Sequence, residues 1–162
     1  MNESVASTVG YEFKMLKFLH AVIEKRKADK VGTGSDPEED ALLESFLLHA
    51  RVLRDFFFKK RETVPRTKTC PKCKERYEVP PPVNDDVLAG DFLPGWSETE
   101  SDYLKSLNRP LNKLLAHLTA SREECTIHRY LWEPGLIYGD IGPVIERFMK
   151  ALPKDRQDWF TR

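Results

Sequence analysis

Between Pro37 and Lys60 the chain carries apolar residues on nearly every side of a helix. Leu42, Leu43, Phe46, Ala50, Leu53 and Phe57 define one face at three- and four-residue spacing, and Leu48, Val52, Phe56 and Phe58 fall on others. A helix of this kind needs neighbours on several sides, which places it in the middle of a helical bundle. Asp36 suits its N-cap and Pro37 its first position, while Glu38, Glu39 and Asp40 suit the positive end of its dipole. His49, Arg51 and Arg54 interrupt the apolar surface and need polar partners if they are buried.

The flanking sequence supplies those neighbours. A first helix is expected over about Gly10–Ala28, with Tyr11, Met15, Phe18, Leu19, Val22 and Ile23 as its apolar stripe. Val31 to Asp36 reads as a loop. A short helix is expected over Asn84–Leu93, stopped by Pro94-Gly95. Ser97-Glu98-Thr99-Glu100 has the form of a capping box and opens a helix to about Asn108. Pro110 then suits the first position of a fresh helix, whose face is Leu111, Leu114, Leu115 and Leu118. Trp132 to Gly135 reads as a turn, and a last helix covers Ile141–Leu152 with Ile145 and Phe148 inward. The expected fold is an all-α bundle of about five helices, formed as a single helical domain over residues 1–162.

Residues 61–83 break the helical pattern. Pro65, Pro71 and the run Pro80-Pro81-Pro82 forbid a continuous helix there. Within this span Cys70-Pro71-Lys72-Cys73 forms a knuckle-like turn, and a short strand-like stretch follows to Val79. The whole span is expected as an irregular excursion inserted in the bundle.

Cys70-x-x-Cys73 can aim two thiolates at one tetrahedral ion, and Cys125-Thr126-Ile127-His128 repeats the same gap downstream. Together they give three sulfurs and one imidazole, the ligand set of a closed structural Zn2+ site, and they use every cysteine in the chain. The 51 residues between Cys73 and Cys125 exceed the roughly 12–20 of compact zinc modules, so the helices between must return the chain to one place. The alternative is that Cys70 and Cys73 are exposed thiols and Cys125 a small core residue. No βαβ pattern surrounds the Cys-x-x-Cys, which argues against thioredoxin-like redox chemistry. Four protein ligands would leave no open position for a catalytic zinc.

Charge and hydropathy narrow the function classes. Lys plus Arg and Asp plus Glu number 26 each, so the net charge is zero, without the global basic excess of a dedicated nucleic-acid binder. A local basic patch is compatible with that balance. No apolar run reaches the roughly 20 residues of a bilayer span, and the N-terminus lacks the basic and apolar regions of a signal peptide. The expected location is cytoplasmic, with no membrane partner. An odd count of three cysteines suits thiols, metal ligands or packing residues rather than disulfides.

His20, His49 and His117 each lie beside the apolar face of an expected helix, where a histidine is more often a partnered core residue than a catalyst. The stretches Glu44–Phe57, Asp85–Phe92 and Leu111–Thr119 resemble, in the same order, blocks of a group of uncharacterised bacterial helical proteins, and cover about a third of the chain. That group is similar in turn to the HEPN superfamily of helical bundles. The resemblance implies a component of a bacterial conflict or regulatory system that binds protein or RNA, often as a homodimer. It also implies an alternative, a metal-independent RNase using an Arg-x(4–6)-His motif. His117, His49, Arg51, Arg109 and Arg122 are the candidate catalytic residues. Seven residues separate Arg109 from His117, outside the motif; five separate Arg122 from His128, within it, but His128 is also the expected zinc ligand. An RNase of this type needs a base for the 2′-hydroxyl and a cation for the developing phosphorane charge. The bland alternative is an internal polar network of His49, Arg51 and Asp55 that holds helices in register.

Overall fold

A computed structural model describes residues 3–29, 37–61, 66–79, 86–116 and 132–161. The described residues form six helices and one two-stranded sheet: α1 (Glu3–Asp29), α2 (Pro37–Phe58), β1 (Arg66–Thr69), β2 (Arg76–Val79), α3 (Ala89–Phe92), α4 (Asp102–Ala116), α5 (Pro134–Ala151) and α6 (Lys154–Thr161). The architecture is broadly all-α, with a small antiparallel hairpin. No helix among the described residues is long and apolar enough to cross a membrane.

α2 sits at the centre, as its apolar surface requires. It packs against α1, α3, α4 and α5, and buries Phe46, Leu47, His49, Ala50, Leu53, Phe56 and Phe57. α1 and α2 run antiparallel: Arg26 meets Glu38 at one end, while Glu12 meets His49 further along. The core is knitted by aromatic rings from almost every helix. Phe13 of α1 stacks on Phe57 of α2 at 5.9 Å and on Phe160 of α6 at 5.8 Å. Phe148 of α5 stands edge-on to Phe56 and Phe57, both at 5.5 Å, and to Trp96 at 5.2 Å. Edge-to-face pairs of this kind add to the area term through the ring quadrupoles.

Several boundaries differ from the sequence expectation. α1 starts at Glu3 rather than Gly10, and its buried face is Ala6, Val9, Phe13, Leu16 and Leu19. Tyr11 and Phe18, expected inside, are 53% and 59% exposed. The helix carries two apolar stripes, and burial selects the one that includes Gly10, whose bare backbone lies against Phe160. α4 runs unbroken through Pro110 instead of restarting there. Pro110 lies on a half-buried position, where water can serve the carbonyl its missing N–H would have used. The cap of α4 is Ser101, not Ser97: Ser101 Oγ accepts the Leu104 N–H at 3.1 Å.

Asn84–Leu93 shrinks to the single turn of α3 among the described residues, held by Asp91 Oδ2 accepting the Leu88 N–H at 2.9 Å. Trp132–Gly135 is not a free turn, because Pro134 occupies the first turn of α5. α6 was not anticipated at all. Its sequence is almost entirely polar, and it is Phe160 that docks it.

Candidate functional site

Two places carry chemistry, and the first is the hairpin. β1 and β2 pair antiparallel in the register Arg66↔Val79, Thr67↔Glu78, Lys68↔Tyr77 and Thr69↔Arg76, so the strand-like stretch up to Val79 acquires a partner strand. Cys70 to Glu75 form the connection. The Cys70 N–H donates to the Glu75 carbonyl at 2.8 Å, and the Lys74 N–H donates back to the Cys70 carbonyl at 3.0 Å. Lys74 takes φ +63°, a left-handed value that turns the chain back into β2.

This turn gathers backbone N–H groups around sulfur. The backbone N–H of Cys73, then that of Lys72, and then the Cys73 thiol hold the Cys70 thiol below its ordinary pKa. Donors aimed at a sulfur stabilise the thiolate, which is the metal-binding form. The Cys73 thiol in turn lies 3.7 Å from Glu75 Oε2, to which it donates. Both cysteines are free thiols, Cys70 half-buried and Cys73 exposed. Among the described residues no group of three or more His, Cys, Asp and Glu is placed to hold a metal. Of the four ligands the sequence suggests, Cys70 and Cys73 lie in this turn, and Cys125 and His128 lie outside the described residues. Two free thiols in a turn that favours the thiolate fit a tetrahedral zinc half-site.

The second place is the polar seam where α2 meets α1 and α4. His49 is buried, and its Nδ1 lies 2.6 Å from Glu12 Oε2, with the two side chains 10% and 16% exposed. Tyr11 packs edge-on to the imidazole at 5.9 Å. The expected network of His49, Arg51 and Asp55 does not assemble in that form: His49 turns to Glu12 across the helix pair, and Arg54 becomes the hub. Arg54 pairs with Glu100 and also donates to Asp55 Oδ1 at 3.2 Å and Asn108 Oδ1 at 3.0 Å. No hydrogen bond or ion pair of the Arg51 side chain is found among the described residues. Arg51 faces a cleft of about 460 Å³ between α1, α2 and Asp86–Leu88, which Thr8, Glu12, Asp55 and Val52 also line.

The remaining candidates divide. Arg109 is exposed on α4, next to Asn108. His117 and Arg122 lie outside the described residues. His20 stacks on Tyr138 at 4.2 Å, and burial holds its pKa below the ordinary histidine value, with Glu24 opposing and Lys27 adding to the effect. Glu12 was missed in the sequence, because the apolar stripe expected for α1 turned the helix the wrong way; on the true buried face it flanks Val9 and Phe13.

No protein family matches the chain, and no curated protein or solved structure is significantly similar to it.

Proposed function

We propose that this chain is a HEPN-like helical binding protein of a bacterial conflict or regulatory system, acting in the cytoplasm on a protein or RNA partner and carrying a structural Zn2+. The observation that carries the reading is the Cys70–Cys73 turn, whose backbone donors favour a thiolate on Cys70. In this reading Cys70, Cys73, Cys125 and His128 hold the ion, which supplies a covalent-strength cross-link between the hairpin and a distant part of the chain. The pairing of His49 with Glu12 in the core supports a structural role for that histidine. Arg54, committed to Glu100, Asp55 and Asn108, likewise holds helices together. The HEPN assignment and the homodimer it implies rest on the three sequence blocks. The exposed Tyr11, Phe18, Leu48 and Val52 on α1 and α2 give a second copy an apolar surface to cover.

The test combines metal analysis, light scattering and an RNA-cleavage assay on the full chain. About one zinc per chain is expected, with a mass of two chains and no cleavage of single-stranded RNA. Strong chelation should lower the unfolding temperature, and Cys70→Ser or Cys125→Ser should remove the metal. Zinc retention by those variants would refute the ligand set. RNA cleavage abolished by His117→Ala would replace the binding reading with the RNase one.

A further inference from the structure

The neutral net charge of the chain conceals a segregation. From Lys59 to Arg76 there are eight Lys and Arg against two Glu, a local net charge of +6, so the rest of the chain carries −6. Much of that positive charge is displayed on the hairpin. Lys68, Lys72, Lys74 and Arg76 are all exposed, and Tyr77 is 49% exposed although it lies in a strand.

The register sorts these residues. Lys68 and Tyr77 are directly opposite each other across the ladder, so their side chains share one face of the hairpin. Glu78 pairs with Thr67 and falls on the other face, so no strand carboxylate faces the Lys68–Tyr77 side. Lys72 and Lys74 extend the same charge around the tip. An exposed aromatic ring flanked by cations is a poor solution for stability alone. It is the combination that binds single-stranded nucleic acid, with bases stacking on the ring and phosphates meeting the cations.

We infer that the hairpin is a single-stranded nucleic-acid contact, with Tyr77 as the stacking platform and Lys68, Lys72 and Lys74 as phosphate contacts, Arg76 lying on the other face with Glu78. The inference rests on the binding reading above and names RNA over protein as the partner. Hairpin side chains are exposed, so they can be changed without disturbing the aromatic core.

The experiment is fluorescence anisotropy of labelled 12-nucleotide uridine and thymidine oligomers with the zinc-supplemented full chain. The wild type should bind at low salt, with a log–log salt slope of about −2 for three phosphates. Lys68→Gln with Lys72→Gln should make that slope shallower by about 1.4. Tyr77→Ala should weaken binding roughly ten-fold, while circular dichroism shows unchanged helix content. Tighter binding of the uridine oligomer assigns the contact to RNA; equal binding assigns it to single strands of either sugar. Unchanged binding by all variants would overturn the hairpin as the site while leaving an RNA-binding protein. Absence of oligonucleotide binding, or equal binding of polyglutamate that ignores Tyr77→Ala, would overturn the inference in favour of a protein partner. Oligomer cleavage during the titration would instead refute the non-enzymatic reading and leave the hairpin contact standing.

Discussion

Glu12 and His49 meet across two helices, 37 residues apart in sequence, with little solvent on either side chain. Removing the carboxylate strands a buried imidazole nitrogen, so Glu12→Ala is expected to cost about 1–3 kcal/mol. A fall in the urea midpoint at unchanged slope would measure it, and an unchanged midpoint would mean that water already serves His49. His20 gives the pH signature. Its folded pKa is depressed, so the unfolded chain takes up the proton first. The stabilising contribution is full above the unfolded value of about 6.5 and is lost as pH falls through it toward the folded one. Stability should therefore decline as pH falls below about 6.5, and His20→Gln should flatten that decline in thermal melts. Both histidines stood out in the sequence as residues beside an apolar face. Their partners did not, because Glu12 and Tyr138 belong to other helices, and a one-dimensional pattern does not say which faces meet.

Among the elements, α1 and α6 show how packing overrides periodicity. α1 carries one apolar stripe through Ala6, Val9, Phe13 and Leu16, and another through Tyr11, Met15, Phe18 and Val22. Periodicity alone favours neither. The first is buried because it alone allows the backbone at Gly10 to approach α6. A Cβ at Gly10 would stand 2.0 Å from the Phe160 carbonyl oxygen, which is backbone and has no rotamer to yield. Gly10→Ala is thus expected to destabilise by about 1–3 kcal/mol and to speed amide exchange across Lys154–Thr161. Gly139 in α5 is the control: nothing lies within 4 Å of its added Cβ, so Gly139→Ala should gain about 0.5–1 kcal/mol from helix propensity. If both changes had the same effect, close approach would not be what docks α6. α4 teaches a related point. Pro110 marks a helix start by sequence rules, yet the helix passes through it, because Leu104 and Leu107 before it and Leu111 after it share the same buried side.

At the scale of the whole molecule, rings from α1, α2, α5 and α6 meet at Phe13 and Phe148, and Phe92 of α3 joins them through Phe56 and Phe160, so the core is aromatic and shared rather than a set of pairwise helix contacts. The basic hairpin and the acidic remainder put opposite charge in different parts of one neutral chain, which a net charge of zero does not reveal. The central position of α2, the broadly all-α class and the Cys70–Cys73 turn were all determined by the sequence itself. Each depends on local spacing or on a helix that is apolar on more than one side. Which stripe of α1 is buried, where His49 and Arg54 find their carboxylates, and that a polar octapeptide becomes α6 were decided only by tertiary structure. Those outcomes depend on contacts between residues far apart in the chain, whose free energies exceed the small differences between local conformations.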